Sequence, residues 1–267
     1  DRTLNERDHR MVRAFAELAA FEIGRDVEAR REEEEKRARI EAVLKDGLFD
    51  MVYQPVVDIH NMRTVGVEAL CRVRAEPIRP PDQWFAEADE VQRREAFELA
   101  AIRSATSHLS ALPDGAFLAV NISPATVLMP ELEVALRDLP HDRIVLEITE
   151  QILIANYDAI RAALAPLRAL GVRVAIDDAG AGHSSLRHIF QLEPDLIKFD
   201  MSLTRGINAD PVRQAMIDAL VGFAAKTGSA IIAEGVETEA ELQCLRTLNV
   251  GFAQGYHLGR PAPLEPS

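Results

Sequence analysis

Residues 144–178 read IVLEITEQILIANYDAIRAALAPLRALGVRVAIDD, and this stretch decides the fold class. Its two ends, Ile144–Thr149 and Arg173–Asp177, are short apolar runs that predict β-strands. The segment Asn156–Leu170 between them is long enough for a helix. A strand, a helix and a second strand in this order predict a parallel β-α-β unit, because parallel neighbours need a long crossover connection.

The same alternation of short apolar runs and helical segments continues on both sides of this unit. Further strands are predicted at Met51–Ile59, Thr64–Val73, Phe117–Ile122, Leu196–Phe199, Ala230–Ala233 and Phe252–Gln254. Further helices are predicted at Val91–Leu112, Ala125–Leu139, Ser184–Leu192, Pro211–Thr227 and Glu239–Leu248. Eight strands that alternate with helices favour an α/β protein with a closed (β/α)8 barrel, or TIM barrel. An open doubly wound sheet is the main alternative, but no predicted strand is followed by its G-x-G-x-x-G signature.

The connection between the first two strands makes the predicted barrel irregular. It consists of His60–Arg63 only, which is too short for a helical crossover. We therefore expect the first two strands to form an antiparallel hairpin, so that one strand of the barrel runs against the others.

The N-terminal segment is predicted to be a long helix, or two in series, that precedes the barrel. Glu6–Leu44 contains no proline, one glycine and apolar residues at helical spacing, whereas Glu32–Arg37 is fully charged. We leave two interpretations open, a solvated connector or a signalling helix that pairs with its copy in a dimer. We expect residues 1–43 to be this connector and residues 44–267 to be the barrel domain. Because the chain begins with Asp1, we also expect it to be a piece of a longer protein.

The composition excludes several classes of protein. The chain has 267 residues, 48% hydrophobic and 27% charged, which is typical of a globular protein. Its net charge of −13 argues against broad attraction to DNA, RNA or an anionic membrane. No apolar stretch reaches the roughly 18 residues of a membrane span, and the start lacks a signal-peptide pattern, so we expect a cytoplasmic protein. Cys71 and Cys244 are too few for a disulfide scaffold or a cysteine-rich metal site.

Acidic and amide side chains dominate the carboxyl ends of the predicted strands, where parallel barrels place their functional groups. The set is Glu68, Asn121, Glu147, Asp177, Asp178, Lys198, Asp200, Glu234 and Gln254. A single aspartate at a strand end is often the cap of the next helix. That explanation is poor for a whole set on successive strands, because an ionised group is costly to bury unless it is paired.

These residue types indicate a site for hard divalent cations. Oxygen ligands without convergent His or Cys favour Mg2+ or Mn2+, with Ca2+ as a non-productive substitute, over zinc. Because Asp177 and Asp178 are adjacent, one can bridge two ions while the other completes the second site. Two ions about 3.5–4 Å apart clamp the attacking and leaving oxygens of a phosphate ester. Lys198 would neutralise charge or hold the attacking water, and a structural salt bridge is its alternative role.

Eight motifs, in order along the chain, resemble those of the EAL-domain phosphodiesterases of bacterial cyclic di-GMP signalling. They are Tyr53–Asp58 (YQPVVD), Glu68–Leu70 (EAL), Asn121–Pro124 (NISP), Leu146–Glu150 (LEITE), Ile176–Asp178 (IDD), Asp195–Lys198 (DLIK), Ala233–Thr238 (AEGVET) and Gln254–Pro261 (QGYHLGRP). The resemblance covers about residues 44–263, and the order of the motifs makes it specific.

The resemblance implies roles for the matching positions. Glu68, Asn121, Glu147 and Asp177 would hold a first metal ion, and Asp177, Asp178 and Glu234 a second. Lys198 would position the attacking water, Glu234 would favour its deprotonation, and the product would be linear pGpG. Gln54, Arg72 and Gln254 would contact the substrate. Glu150 and Glu237 would be two outer glutamates that brace the loop and the lysine.

The clearest departure from the family lies in the loop after the paired aspartates. The family typically reads DDFGTGYSSL there, whereas this chain has Ala179, Ala181 and His183 in place of Phe, Thr and Tyr. In the family this loop belongs to the dimer contact and helps to order the second metal ion. We therefore keep open a catalytically silent cyclic di-GMP receptor or scaffold as the alternative to the enzyme.

The resemblance also implies partners for the chain. A homodimer is expected from the loop and the long helix, and cyclic di-GMP is the expected ligand. The N-terminal segment is similar, much less specifically, to the last helix of a GAF-type sensor followed by a connector. This similarity implies an upstream sensory domain in the full-length protein.

Overall fold

The structure is a computed structural model that describes residues 6–149, 154, 156–179 and 185–264. In this part of the chain the strands are β1 Phe49–Asp58, β2 Arg63–Val73, β3 Phe117–Ile122, β4 Ile144–Thr149, β5 Arg173–Ala179, β6 Leu196–Phe199, β7 Ala230–Ala233 and β8 Phe252–Ala253. The α-helices are α1 Glu6–Asp46, α2 Pro81–Glu90, α3 Arg94–Thr106, α4 Pro124–Val127, α5 Pro130–Leu136, α6 Tyr157–Ala169, α7 Ser185–Leu192, α8 Met201–Thr204, α9 Pro211–Thr227 and α10 Glu239–Thr247. Short 3-10 helices occupy Leu109–Ala111, His141–Arg143 and Ile207–Ala209.

The strands close into one barrel in the order β1 to β8, which confirms the predicted α/β fold. Strand β1 pairs antiparallel with both β2 and β8, whereas the pairs from β2 through β8 are parallel. The predicted hairpin is therefore also confirmed. Because β2 to β8 run in one direction, their carboxyl ends meet at one mouth of the barrel.

Local hydrogen bonds explain why the hairpin turns where it does. The Asp58 carboxylate accepts hydrogen bonds from the backbone N–H of His60 at 2.9 Å and of Asn61 at 3.2 Å. Met62 then adopts a left-handed backbone conformation with φ 52°. An aspartate that bonds its own backbone in this way stabilises a tight turn, and so the chain reverses without a helix.

The helix predictions hold best where a capping residue precedes proline. Ser123 and Asp210 accept hydrogen bonds from the first turns of α4 and α9, as expected for N-cap residues before Pro124 and Pro211. The predicted helix Ala125–Leu139 is in fact two helices, because Pro130 starts α5. The sequence analysis did not predict α2 or α8, and α3 is shorter than the predicted Val91–Leu112.

The barrel interior is apolar below the mouth. Its buried cluster contains Val56, Phe117, Ala119, Val145, Ala175, Leu196 and Ile232. In a strand, alternate residues share a face. The residues two positions nearer the carboxyl ends of β3, β4, β6 and β7 therefore also face inward, and these are Asn121, Glu147, Lys198 and Glu234. The fold thus places polar side chains directly on top of an apolar floor.

Helix α1 has two halves with different surroundings. Near its C-terminal end, Ile40 and Val43 are fully buried against Trp84 and Phe97, so this end is part of the barrel packing. In the N-terminal half, apolar side chains such as Phe15 remain largely exposed. The prediction of a long helix is confirmed as one continuous helix of 41 residues. In the described part of the chain, no helix is long and apolar enough to cross a membrane.

Candidate active site

Four carboxylates converge on one ammonium group at the mouth of the barrel. Lys198 Nζ lies 3.2 Å from Glu68 Oε2, 2.9 Å from Glu147 Oε2, 3.0 Å from Asp177 Oδ1 and 2.8 Å from Glu234 Oε1. These residues come from β6, β2, β4, β5 and the end of β7. A lysine has only three N–H donors, so it cannot satisfy four carboxylates at once. The Lys198 cluster, as we call these five residues, is therefore under-supplied with positive charge.

Burial makes this imbalance costly. The side chain of Lys198 is 1% exposed and that of Glu147 is 0% exposed. Burial, and next the charges of Glu68 and Asp177, raise the pKa of Glu147 well above its usual value, although Lys198 opposes them. Burial likewise raises the pKa of Glu234 to about 8, against the lowering effect of Lys198. Without further cations, these two carboxyl groups therefore favour the neutral form.

Lys198 and Glu68 are shifted toward their charged forms. Burial alone would lower the pKa of Lys198, but the surrounding carboxylates outweigh burial and raise it well above its usual value. Burial would raise the pKa of Glu68, but Lys198 and hydrogen bonds from Gln254 and Asn121 outweigh it and lower the pKa. The centre of the cluster is thus an ion pair between Lys198 and Glu68.

A bulge brings both members of the aspartate pair into the site. Successive residues of a regular strand point to opposite faces, so Asp177 and Asp178 would normally diverge. The β5–β6 register shifts between Ile176 and Ala179, and Asp178 has a positive φ of 56°. A β-bulge of this kind re-aims a side chain. As a result, oxygens of Asp177, Asp178 and Glu234 all lie within 4.8 Å of one another.

Amide side chains hold Glu68 from two sides. Asn121 Nδ2 donates a hydrogen bond to Glu68 Oε1 at 3.0 Å, and Gln254 Nε2 donates to Glu68 Oε2 at 2.8 Å. The same Gln254 nitrogen lies 3.0 Å from Gln54 Oε1, and Gln54 Nε2 donates to the carbonyl of Gly259 at 3.1 Å. Gln54 and Gln254 are both buried. The side chains of Gln54 and Gln254 therefore line the site and are also held in place by hydrogen bonds to their neighbours.

Two glycines let the last strands approach closely. Gly235 follows Glu234 with a φ of +68°, and a Cβ there would lie 2.4 Å from Met201 Cβ. A Cβ on Gly255, which follows Gln254, would lie 2.2 Å from the carbonyl oxygen of Val236. Any larger residue would push these segments apart. The two glycines thus fix where the chain leaves the barrel on either side of the Lys198 cluster.

The cluster fits hard cations. Glu147 Oε1 is buried and has no hydrogen-bond partner among the described residues, and Asp177 Oδ1 is buried with no partner there beyond its ion pair with Lys198 at 3.0 Å. Buried oxygens of this kind are costly unless a partner is supplied. The available donors are carboxylate and amide oxygens, with no histidine or cysteine in the described three-residue group Asp177, Asp178 and Glu234. This donor set matches Mg2+ or Mn2+ rather than zinc.

The remaining sequence-predicted residues lie at the rim or outside the described chain. Arg72 is exposed on β2, where Nη1 donates to the carbonyl of Cys71 at 2.8 Å. Glu237 forms an ion pair with Arg205 and is not among the carboxylates around Lys198. Asp200 caps α8 by accepting a hydrogen bond from Ser202 N–H, so the capping explanation holds for this residue. Glu150 lies outside the described residues.

Two cavities at the mouth share Leu70 as a lining residue. The smaller cavity, of about 410 Å3, is lined by Gln54, Glu68, Asp177, Lys198, Glu234 and Gln254. The larger, of about 680 Å3, contains Arg72, Asn121 and Asp178. Both volumes fall in the range of roughly 300–1,000 Å3 that small-molecule sites occupy. The sequence-predicted residues thus line one composite mouth in two adjoining parts.

Sequence reasoning missed two residues that line the larger cavity. Glu98 and Arg94 lie on α3 and form an ion pair of 2.8 Å. The only local signal was the Ser123–Pro124 cap, whose serine bonds Glu98. That cap predicts where α4 begins, but it does not predict the contact with Glu98, because Glu98 and Ser123 are 25 positions apart.

Fold and site together define an α/β-barrel protein with a cluster of acidic side chains at the carboxyl ends of its strands. The sequence profile of the EAL domain matches residues 37–261. The chain therefore belongs to the EAL domain family.

One curated relative is the probable cyclic di-GMP phosphodiesterase PdeN of Escherichia coli strain K12. It is 34% identical over 240 residues, which is 85% of this chain and 46% of PdeN. The chain thus spans less than half of that relative.

Solved structures with the same fold include two EAL proteins. BlrP1 of Klebsiella pneumoniae, in a calcium and cyclic di-GMP complex, is 32% identical with a TM-score of 0.71 over 80% of this chain and 56% of that one. A manganese and cyclic di-GMP complex of BlrP1 is also similar, at 31% identity. The EAL enzyme Bd1971, bound to cAMP and cyclic di-GMP, is 25% identical with a TM-score of 0.80 over 98% of this chain and 75% of that one.

Proposed function

We propose that this chain hydrolyses one phosphodiester bond of cyclic di-GMP to give linear pGpG in a metal-dependent reaction. The observation that carries the proposal is the convergence of four buried or partly buried carboxylates on Lys198 at the barrel mouth. Membership of the EAL family and similarity to PdeN, a probable cyclic di-GMP phosphodiesterase, support the choice of substrate. The structures of BlrP1 with calcium or manganese support a divalent cation.

In this proposal the acidic residues hold two divalent cations. Glu68, Asn121, Glu147 and Asp177 hold one, and Asp177, Asp178 and Glu234 hold the other. When bound, such ions polarise the phosphate ester and increase the acidity of water. We expect Mg2+ or Mn2+ to support turnover and Ca2+ to inhibit it, because these ions share oxygen ligands but differ in preferred geometry.

Lys198 and Glu234 carry the proton chemistry of the proposal. Bound cations would engage the surrounding carboxylates, so the Lys198 ammonium would have an N–H donor free to hold the attacking water against the phosphorus. Glu234 lies 2.8 Å from that ammonium, and in the ionised form that bound cations would favour it can accept the proton that the water loses. The water oxygen forms the new bond to phosphorus, the bond to the leaving ribose oxygen breaks, and that oxygen takes up a proton from solvent, to which Glu234 later returns the proton that it accepted. Glu237 and Glu150 would brace the loop and the lysine, as the family resemblance implies.

Substrate contacts are assigned to the two parts of the mouth. Arg72 is exposed in the larger cavity, where its guanidinium suits a phosphate oxygen. Gln254 Oε1 is buried without a hydrogen-bond donor among the described residues, so it can accept one from the ligand. Gln54 holds Gln254 in place at 3.0 Å. The substrate would thus span both cavities.

A catalytically silent receptor is the second candidate. Ala179 takes the place of the family phenylalanine and is buried at the end of β5, where it pairs with Phe199. Ala181 and His183 lie outside the described residues. Without the phenylalanine that is typical of the family at position 179, Asp178 would lack a neighbouring aromatic anchor and could be held less firmly for the second ion. Binding of cyclic di-GMP would then survive while hydrolysis is slow.

We propose that the chain acts as a cytoplasmic homodimer under an upstream sensory domain. Residues 1–43 would be the connector and 44–267 the phosphodiesterase domain. Exposed apolar side chains on α7 and α9, among them Phe190, Val212 and Met216, support self-association. Light scattering at high micromolar concentration should therefore report a dimer, and a monomer at that concentration would contradict this part of the proposal.

The decisive experiment is a product assay. The purified chain is incubated with cyclic di-GMP and Mg2+ or Mn2+, and the products are separated by chromatography. Linear pGpG is expected, with loss of turnover in a chelator and recovery on adding Mg2+ or Mn2+ but not Ca2+. Binding of cyclic di-GMP without any product would favour the receptor, and neither binding nor product would overturn both candidates.

A further inference from the structure

A buried carboxylate outside the Lys198 cluster holds the turn that follows β3. Glu98 on α3 is 5% exposed. Its Oε2 accepts hydrogen bonds from Ser123 N–H at 2.8 Å, Ser123 Oγ at 2.7 Å and Thr126 Oγ1 at 2.6 Å. Its Oε1 accepts one from Arg94 Nε at 2.8 Å. The Glu98 side chain therefore connects α3, which packs outside the barrel, to the end of barrel strand β3.

The bonded turn lies next to a site residue. Ser123 follows Ile122, the last residue of β3, and Asn121 comes immediately before Ile122. Asn121 Nδ2 donates to Glu68 Oε1 at 3.0 Å, which leaves the Asn121 side-chain oxygen available as a ligand. Because the backbone between Asn121 and Ser123 is only two peptide units long, a shift of the turn displaces Asn121 as well.

Helix capping alone does not account for this arrangement. Ser123 Oγ already caps α4 by accepting a hydrogen bond from Thr126 N–H at 3.3 Å. Glu98 adds three short hydrogen bonds to the outer side of the same turn. Bonds to a charged acceptor are about twice as strong as neutral ones. Glu98 and Asn121 also line the same cavity of about 680 Å3.

We propose that Glu98 is a positioning residue of the active site, which fixes the turn after β3 so that Asn121 and Glu68 keep the geometry of the first metal position. The inference rests on the proposed function, because it assigns Glu98 to the metal site named there. Glu98 acts through Asn121 and touches neither the ion nor the substrate.

Glu98→Met tests the proposal, because it keeps the length of the side chain and removes every acceptor. We expect Mn2+ binding, measured by calorimetry without substrate, to weaken about tenfold, the lower end of the ~10–100-fold that outer partners of metal ligands typically contribute. Excess Mn2+ should restore most of kcat, since a misplaced ligand weakens binding before it alters chemistry. A purely structural role would not produce this rescue by metal.

Glu98→Gln keeps the test decisive if the methionine variant does not fold. The amide oxygen can still accept from Ser123 and Thr126, whereas the amide nitrogen faces the Arg94 donor. We expect a weakening of Mn2+ binding of about threefold, consistent with the loss of roughly one net hydrogen bond.

Glu87→Gln and Glu87→Met are the matched controls. Glu87 is 6% exposed on α2, and its ion pairs go to Arg39 and Arg79 instead of a strand end. Its variants should lower the free energy of unfolding in urea but leave Mn2+ affinity unchanged.

The outcomes separate the two proposals. Weaker Mn2+ binding in the Glu98 variants, but not in the Glu87 variants, supports the positioning role. If the unaltered chain binds Mn2+ and forms pGpG while the Glu98 variants match the Glu87 variants in Mn2+ affinity, the positioning role is overturned and the proposed function stands. If the unaltered chain binds neither Mn2+ nor Mg2+, both are overturned.

Discussion

Two regions of this molecule bury carboxylates, and they differ in how completely the charge is matched. At the junction of α1 and α2, Glu87 pairs with Arg39 at 2.7 Å and also forms an ion pair with Arg79. The guanidinium of Arg79 also lies 4.0 Å from the centre of the Trp84 ring. In the Lys198 cluster, by contrast, four carboxylates share one ammonium.

The difference separates a structural use of charge from a functional one. The paired carboxyl group of Glu87 has a pKa lowered by Arg79 and Arg39 despite burial, so it stays charged and holds two helices together. Glu147 and Glu234 have raised pKa values, chiefly because of burial. Buried acids that lack enough counter-charge destabilise the folded state. Such arrangements are typical of functional sites, including those that bind cations.

The largest effect should come from removing a carboxylate from the unmatched region. Glu68→Ala should lower kcat by more than about a hundredfold, beyond the effect of outer partners of metal ligands. The fold should remain intact, because Glu147, Asp177 and Glu234 still surround the Lys198 ammonium after Glu68 is removed. The assay is pGpG formation at saturating Mn2+, with circular dichroism as the control. Retained hydrolysis with unchanged metal dependence would remove Glu68 from the site.

Restoring the loop sequence that is typical of the family should raise kcat, which is the opposite of the effect expected for Glu68→Ala. Ala179→Phe, Ala181→Thr and His183→Tyr together should raise kcat with little change in affinity for cyclic di-GMP. A gain of up to about a hundredfold is possible, because a misplacement of about 1 Å can have that effect on rate.

Ala179 is buried, so the new phenylalanine can cost about 1–3 kcal/mol by overpacking. A urea titration of the triple variant measures that cost separately from kcat. An unchanged or lower kcat in a folded triple variant would show that the loop does not limit the rate.

A smaller effect is expected from the amides that border the unmatched region. Gln254→Ala removes the hydrogen bonds to Glu68 and Gln54, so kcat/KM should fall about tenfold, the equivalent of roughly 1.4 kcal/mol. Gln243→Ala is the matched control, since the Gln243 side chain donates a hydrogen bond to the exposed Glu239 on α10. Equal values for the two variants would count against a role for Gln254.

The matched region should show the smallest effect on activity. Glu87→Gln should lower the free energy of unfolding by about 1–3 kcal/mol, because it weakens hydrogen bonds to charged groups. Turnover should remain that of the unaltered chain. A large loss of turnover at full stability would mean that the α1–α2 junction also takes part in the reaction, and the comparison above would fail.

Strand positions and the general place of the site could be predicted from the sequence, because both depend on local patterns. The predictions for β3, β4, β6 and β7 agree with the structure residue for residue. Helix α2 was missed, although it carries the fully buried Trp84. Its short length and mixed composition gave no clear periodicity.

Features that depend on contacts between distant segments could not be predicted. Strand alternation places Asp177 and Asp178 on opposite faces, and only the β5–β6 register reveals the bulge that unites them. The link between Glu98 and the turn after β3 spans 25 positions and has no signature in either segment. The position of Lys198 at the centre of four acids likewise requires the closed barrel.

The left-handed backbone of Asp178 has a consequence for the stability of the molecule. With φ 56°, this position suits glycine or asparagine sterically better than most residues, and a non-glycine residue there stores strain of the order of 1 kcal/mol. Glycine would relax the backbone but would carry no carboxylate. The backbone strain at Asp178 therefore accompanies the placement of a third carboxylate beside Asp177 and Glu234 at the barrel mouth.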